Sequence, residues 1–191
     1  MPAQSSPLPR VVLIGPPGSG KSTVGAALAD RWQLSLRDTD VDVERVAGKP
    51  VRDIFVEDGE PEFRRLEREA VASALLGHEG VLALGGGAVV DQRTQDGLRA
   101  YRERGGVVVF LDVSLAHAAP RVGLNTSRPL LVGNPRAQWS ALMERRRPVY
   151  EALATVRVST DGARPAQVAE QIELALAERR TAPGRTGSQG D

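Results

Sequence analysis

The sequence GPPGSGKS occupies residues 15–22 and matches the pattern G-x-x-x-x-G-K-[ST] at every fixed position. It lies between an apolar run at 11–14 and a segment of helical composition at about 20–31. A strand that leads into a glycine-rich turn and then a helix presents backbone N–H groups and a positive helix end to an anion. In this pattern Lys21 reaches the β- and γ-phosphates and Ser22 binds Mg²⁺. The alternative is a glycine-rich turn with a chance lysine, but the flanking strand and helix favour a nucleotide site.

Outward from this stretch, short apolar runs alternate with longer segments of helical spacing. The runs lie at 34–37, 81–84, 107–111 and 156–158, and the predicted helices lie near 61–75, 114–122, 137–153 and 165–179. Apolar strands without alternation, separated by helices, predict an α/β fold with a parallel sheet covered on both faces. Ligands of such sheets bind at the carboxyl ends of the strands.

Length, cysteine content and net charge exclude several classes of protein. The 191 residues are consistent with one domain at 10–179, with disordered tails predicted at 1–9 and 180–191. The chain has no cysteine, which excludes disulfides, thiolate metal sites and a cysteine nucleophile. A formal charge of +1 and the lack of a long apolar run argue against nucleic-acid and membrane partners. We expect a cytoplasmic protein, without a signal peptide, that acts as a monomer.

Two carboxylates follow the second predicted strand, in Asp38-Thr39-Asp40. On an extended segment, side chains one residue apart point to opposite sides, so one could face a metal and the other an acceptor substrate. The competing interpretation is an N-cap cluster for a helix at 41–47, and the motif by itself favours that interpretation.

Three further features have a functional and a structural interpretation. Arg64 begins an amphipathic helix, where it either binds an anion or faces solvent. Residues 85–87 are three glycines after a strand, which either let a ligand approach the backbone or form a flexible turn. Asp112, at the end of the fourth predicted strand, is a rival metal carboxylate to Asp38.

Taken in order, these segments resemble the shikimate kinase family. The resemblance runs through residues 15–22, 38–40, Gly59-Glu60 with Phe63-Arg64, and 85–87, then through NTSRPLL at 125–131 and Arg146-x-Pro148-x-Tyr150. It covers residues 10–178. It implies a P-loop fold of the nucleoside-monophosphate-kinase type, with five parallel strands in the order 2-3-1-4-5 and helices on both faces. It also implies transfer of the ATP γ-phosphate to the 3-hydroxyl of shikimate, with Mg²⁺, in aromatic amino acid biosynthesis.

The resemblance also implies a role for individual residues. Asp40 meets the attacking hydroxyl, Ser22 and Asp38 serve the metal, and Arg128 lies in a lid at 123–135 that closes over the phosphates. The acceptor region spans about 40–75. The nucleotide site comprises Gly18, Ser19, Gly20, Lys21, Ser22, Thr23 and Arg128, with Arg121, Arg164 and Pro165 beside the adenine; the shikimate site comprises Asp40, Arg64, Gly85, Gly86, Gly87 and Arg146. Leu124 departs from the pattern, since a small residue is expected there.

Two other hypotheses remain open at this point. One is a kinase for a different small polar acceptor, such as gluconate or a nucleoside monophosphate, which shares the phosphate loop. The other is a regulatory module that binds nucleotide without transferring phosphate. Such a module should have lost at least one of four residues, but Lys21, Asp40, Arg64 and Arg128 are all present.

Overall fold

The computed structural model describes residues 8–122 and 134–181, with side chains through residue 179. Its centre is a five-stranded parallel sheet in the order β2-β3-β1-β4-β5. The strands are β1 (Val11–Ile14), β2 (Leu36–Asp38), β3 (Val81–Ala83), β4 (Val108–Asp112) and β5 (Val156–Ser159). The predicted parallel sheet and its strand order are confirmed.

Helices connect the strands and cover both faces of the sheet. They are α1 (Lys21–Trp32), α2 (Thr39–Ala47), α3 (Val51–Glu57), α4 (Glu60–Gly77), α5 (Gln92–Glu103), α6 (Leu115–Arg121), α7 (Pro135–Leu153) and α8 (Pro165–Thr181), with a 3₁₀ turn at Ala88–Val90. Sequence analysis did not predict α3 or α5. The α5 helix is mostly polar, and its start is fixed by the Asp91 carboxylate, which accepts from the backbone N–H groups of Arg93 and Thr94.

The sheet separates two apolar layers. Along β1, Val12 and Ile14 pack against α4, α5 and α7, whereas Val11 and Leu13 pack against α1 and α8. Both faces of β1 are therefore buried, which explains why its sequence is apolar without alternation. A third cluster holds α2, α3 and α4 together through Val43, Ile54, Phe63 and Leu66. Within the described ranges, no helix combines the length and apolar character that a bilayer crossing requires.

The ends of the described segments refine the predicted boundaries. Leu8 packs against the core and Pro9 is buried, although sequence analysis assigned both residues to a tail. The α8 helix continues to Thr181, two residues into the predicted C-terminal tail. Most of the predicted lid, including Arg128, lies outside the described residues, and α7 begins directly after Asn134 caps its first turn.

Two glycines near the start of β3 give a matched test of this packing. A methyl group on Gly80 would overlap the carbonyl oxygen of Ser35, to which Val81 N–H donates, whereas a methyl group on Gly77 would meet nothing within 4 Å. We expect Gly80→Ala to lower the free energy of unfolding by about 1–3 kcal/mol. Gly77→Ala, at the end of α4, should leave it unchanged or raise it by a few tenths of a kcal/mol. Urea denaturation of both variants checks this, and equal stabilities would contradict the close approach at Gly80.

Candidate active site

The phosphate loop connects the end of β1 to the start of α1. Gly18 and Gly20 have φ values of 83° and 84°, in the left-handed region that favours glycine. The Lys21 ammonium group donates to the carbonyl oxygens of Gly15, at 2.9 Å, and Pro16, at 3.1 Å. Burial lowers the pKa of Lys21 to about 8, against the opposing effects of Asp40 and Asp38. The loop therefore holds its cation in place by its own carbonyl groups.

Asp38 serves as a helix cap and as a partner of the loop at the same time. One carboxylate oxygen accepts from the Asp40 backbone N–H at 3.0 Å and so caps α2, while the other accepts from the Ser22 hydroxyl at 2.6 Å. The N-cap interpretation is confirmed, although the helix begins at Thr39 rather than at 41. Asp40 lies in the first turn of α2 and not on an extended segment, so the argument from strand alternation was wrong.

The pair formed by Ser22 and Asp38 fits a magnesium ion. Hydroxyl and carboxylate oxygens are hard ligands, and Mg²⁺ commonly takes only one or two protein ligands together with substrate phosphates. Across residues 8–122 and 134–179, no group of three His, Cys, Asp or Glu side chains could hold a metal by itself. The donor set is therefore that of a metal bound together with a nucleotide.

Asp40 is half-buried beside the glycine loop that follows β3. Burial raises the pKa of Asp40 above its ordinary value, the nearby Asp38 raises it further, and Lys21 and Arg64 oppose the change. A methyl group on Gly85 would come within 2.5 Å of an Asp40 carboxylate oxygen. A glycine at 85 therefore allows the carboxylate to lie against the loop.

Arg64 is held by two carboxylates of its own helix. Its Nη1 donates to Glu67 at 2.6 Å, and its Nε and Nη2 approach Glu60 at 3.3 and 3.2 Å. The Glu67 side chain is only 3% exposed, so this buried carboxylate fixes the guanidinium. Burial raises the pKa of Glu67, while Arg64 opposes the shift. Sequence analysis missed Glu67, although a glutamate on the apolar face of α4, three residues after an arginine, was a readable signal.

The glycines at 85–87 are required by close neighbours. A methyl group on Gly86 would come within 3.2 Å of Pro17 in the phosphate loop, and one on Gly87 would overlap the Arg64 guanidinium. The Gly85 N–H donates to the Thr39 hydroxyl at 2.9 Å. Residues 86–87 do form a turn, which leads into the 3₁₀ turn at Ala88–Val90 and has close neighbours on several sides.

Helix α7 supplies the second arginine to this loop. Arg146 Nη1 and the Tyr150 hydroxyl both donate to the carbonyl oxygen of Gly86, at 3.0 and 2.6 Å. Burial raises the pKa of Tyr150 to about 12, so Tyr150 acts as a neutral donor. The structure thus brings Asp40, Arg64 and Arg146 to one glycine loop in contact with the phosphate loop.

The residues expected beside the adenine lie at the outer edge of this site. Arg121 donates through Nη1 to the Gly18 carbonyl at 3.1 Å and through Nη2 to the Thr160 carbonyl at 3.2 Å. Arg164 and Pro165 start α8, where the Arg164 carbonyl accepts from the backbone N–H groups of Gln167 and Val168. Arg121 therefore contacts the phosphate loop directly. Its other partner, Thr160, lies a few residues before the start of α8.

Asp112 belongs to a separate ion-pair network. Its two carboxylate oxygens accept from the guanidinium groups of Arg147 and Arg157. Burial opposes ionisation, but the hydrogen bonds from the two arginines outweigh it and lower the pKa of Asp112. This arrangement accounts for the charge of Asp112 without a metal, so the metal-binding carboxylate that fits the site is Asp38.

A family model and individual relatives both show similarity of this chain to shikimate kinases. Residues 17–177 match a family model described as shikimate kinase. The chain is 56% identical over 168 residues to a shikimate kinase of Thermobifida fusca, covering 88% of this chain and 95% of that relative. It is 53% identical over 169 residues to one of Salinispora arenicola, covering 88% and 98%.

Solved structures show the same likeness. A shikimate kinase from Acinetobacter baumannii in complex with shikimate superimposes with a TM-score of 0.82 and 29% identity, covering 94% of this chain and 98% of that one. A gluconokinase from Sinorhizobium meliloti superimposes with a TM-score of 0.56 at 21% identity, which shows a shared fold alone.

The environment of Asp40 predicts a pH-dependent gain in stability when its charge is removed. Because the pKa of Asp40 is raised in the folded state, its ionised form opposes folding at neutral pH, and this effect disappears below the unfolded value near 4. We expect Asp40→Asn to raise the urea midpoint at pH 7 and to lose that advantage as the pH falls toward 4. Asp30→Asn, at an exposed position of α1, is the matched control. An advantage that grew on acidification would contradict this assignment.

Proposed function

The chain belongs to the shikimate kinase family and is an ATP-dependent kinase that phosphorylates a hydroxyl of shikimate, and on this premise we propose how its residues divide the reaction. The acceptor is the 3-hydroxyl, and the products are shikimate 3-phosphate and ADP, as the resemblance implies. The observation that carries the proposal is the meeting of Asp40, Arg64 and Arg146 at a glycine loop in contact with the phosphate loop.

On the donor side, the chain provides backbone amides and cationic side chains. The amides of residues 18–23 and the Lys21 ammonium group bind the β- and γ-phosphates. Lys21 then exchanges the carbonyls of Gly15 and Pro16 for phosphate oxygens. Ser22 and Asp38 would hold Mg²⁺, which when bound neutralises charge on the transferring phosphoryl group. Arg121 and the turn at Arg164-Pro165 flank the adenine, and Arg128 completes the cationic surroundings of the γ-phosphate.

On the acceptor side, two arginines bind the carboxylate of shikimate. Arg64 has one buried partner, Glu67, and one exposed partner, Glu60. A substrate carboxylate can take the place of Glu60 while Glu67 keeps the guanidinium oriented. Arg146 approaches from α7, and its contact with the Gly86 carbonyl sets its direction. Two planar guanidinium groups suit the bidentate recognition of a carboxylate.

Asp40 orients the attacking hydroxyl and accepts its proton. Its raised pKa makes it a stronger base than an ordinary aspartate, which favours proton transfer from the hydroxyl. The site excludes water so that the phosphoryl group passes to shikimate. The absence of cysteine from the sequence fits a cytoplasmic location, where we propose that the working unit is a monomer.

A coupled assay of ADP release tests the choice of acceptor. Shikimate, quinate, gluconate and nucleoside monophosphates are offered separately with ATP and Mg²⁺. We expect turnover with shikimate, because its carboxylate can pair with both arginines, whereas a nucleoside monophosphate offers no carboxylate. ADP release with a nucleotide acceptor alone would overturn the proposed function.

Arg64→Ala tests the recognition of the acceptor carboxylate. Loss of a charge-assisted pair should lower kcat/KM for shikimate by roughly 30- to 1000-fold, with little change in KM for ATP. Arg65→Ala is the matched control on the same helix, since Arg65 pairs with Glu62 and Glu69 at the surface. A thermal melt separates lost binding from lost folding. Equal kinetics for the two variants would favour the alternative interpretation, in which Arg64 faces solvent and does not bind shikimate.

Substitutions of Asp38 and Asp40 should affect different steps. Asp38→Asn keeps a side-chain oxygen to cap α2 but loses a charged metal ligand, so the Mg²⁺ concentration for half-maximal rate should rise about 10-fold or more. Asp40→Asn should lower kcat by about 10²- to 10⁴-fold even at saturating Mg²⁺. Steady-state rates across a Mg²⁺ titration check both. Rescue of Asp40→Asn by excess Mg²⁺ would require the two roles to be exchanged.

A further inference from the structure

Side-chain donors contact the carbonyl groups of four consecutive residues of the phosphate loop. Lys21 contacts the carbonyls of Gly15 and Pro16, and Arg121 contacts that of Gly18. The carbonyl of Pro17 accepts from the indole N–H of Trp139 at 3.1 Å. Four consecutive carbonyls, those of residues 15–18, therefore have hydrogen-bond donors. A carbonyl turned toward a bound phosphate would repel it, so this arrangement favours anion binding.

Trp139 is the donor that comes from the most distant part of the chain. It lies on the second turn of α7, its side chain belongs to the core cluster, and the residue is 8% exposed. Its ring is held in the core on one side, and its N–H reaches the loop. Buried tryptophan N–H groups usually have a specific acceptor, and here the acceptor is in the candidate nucleotide site.

The Pro17 carbonyl determines the direction of the next amide. In a trans peptide unit the C=O of one residue and the N–H of the next point in opposite directions, and the described part of the chain has no cis peptide. When Trp139 holds the Pro17 carbonyl toward α7, the Gly18 N–H points away from α7. Pro16 and Pro17 have no N–H. Gly18 is therefore the first amide after Gly15 that the loop can offer to an anion.

The same face of α7 holds the acceptor loop. Trp139, Arg146 and Tyr150 are spaced by seven and four residues, which places them on one side of a helix. Arg146 and Tyr150 donate to Gly86, and Gly86 lies against Pro17. One helix face thus fixes both loops relative to each other.

We propose that Trp139 is a positioning residue of the nucleotide site: its indole N–H holds the Pro17–Gly18 peptide so that the Gly18 amide faces the bound phosphates. This inference rests on the proposed nucleotide site. It assigns to Trp139 a role in affinity for the nucleotide that packing by itself would not give.

Trp139→Phe tests the role, because phenylalanine retains most of the ring but has no N–H. Trp32→Phe is the matched control, since the Trp32 indole donates to Glu173 at 2.8 Å, at the far end of α1. By titration calorimetry we expect Trp139→Phe to weaken ADP binding by about 3- to 10-fold relative to wild type, and Trp32→Phe to leave it unchanged. KM for ATP should rise more than kcat falls. Equal ADP affinities for the two variants would overturn the proposal.

A second measurement needs no change at Trp139. The chain has two tryptophans, so the ¹⁵N-labelled wild-type protein should give two indole N–H signals, which Trp32→Phe assigns. Saturating ADP should displace the Trp139 signal and leave the Trp32 signal in place. A Trp139 signal that does not move would overturn the proposal even if Trp139→Phe fails to fold.

These outcomes are separable from the fate of the proposed function. A wild-type protein that binds ADP but shows no shikimate-dependent turnover would overturn the proposed reaction. If ADP affinity also falls in Trp139→Phe, the role of Trp139 is still supported. Conversely, normal turnover with unchanged ADP affinity in Trp139→Phe would overturn only the assignment of Trp139.

Discussion

The parallel pairing of β1 with β3 is the constraint on which the site depends. It places the loops that follow Ile14 and Ala83 side by side at the same edge of the sheet. The two loops then touch at Pro17 and Gly86, where a methyl group on residue 86 would come within 3.2 Å of Pro17. In the proposed site, donor phosphates and acceptor carboxylate would bind beside these adjacent loops, whose separation is set by backbone packing. Such preorganisation is what phosphoryl transfer chiefly requires of a protein.

Several charged groups at this edge of the sheet lower the stability of the ligand-free protein. Burial and the nearby Asp38 raise the pKa of Asp40, and Lys21 and Glu67 are partly or wholly withdrawn from water. In the proposed site, ligands would supply the opposite charges: phosphates for Lys21 and a metal for Asp38. The structural ion pairs elsewhere differ, since Asp112 has both of its guanidinium partners in place. Strain of this kind is therefore localised where substrates bind.

Sequence patterns predicted the parallel sheet and the phosphate loop, because strand composition and glycine spacing are local signals. The roles of Asp40, Arg64 and Arg146 in an acceptor site came instead from the resemblance to the family, and they stay predictions. They did not predict α5, since only Leu98, Tyr101 and the methyl group of Thr94 give that helix a buried side. The roles of Glu67 and Trp139 were also missed. Glu67 pairs with Arg64 at local helical spacing, so its signal was present in the sequence. Trp139 depends on Pro17, a partner that only the fold brings close, and no local pattern encodes that contact. For the motif at 38–40, an N-cap and a functional carboxylate were treated as competing interpretations. In the structure the Asp38 carboxylate caps α2 and accepts from the Ser22 hydroxyl at the same time.

The lowered pKa of Lys21 has a consequence for chemical reactivity. Near pH 8 about half of the Lys21 amines are neutral and nucleophilic, whereas the hydrogen bonds from Lys49 to Asp58 and Glu57 raise the pKa of Lys49. These two are the chain's lysines, so an acylating reagent meets one reactive side-chain amine and one that stays protonated. In the proposed nucleotide site, a bound nucleotide would cover Lys21, and its phosphates would favour the protonated amine. The extent of acylation at this lysine therefore measures how much of the protein has an empty phosphate loop, and covalent inhibitors that carry an amine-directed group have a single preferred lysine to attack.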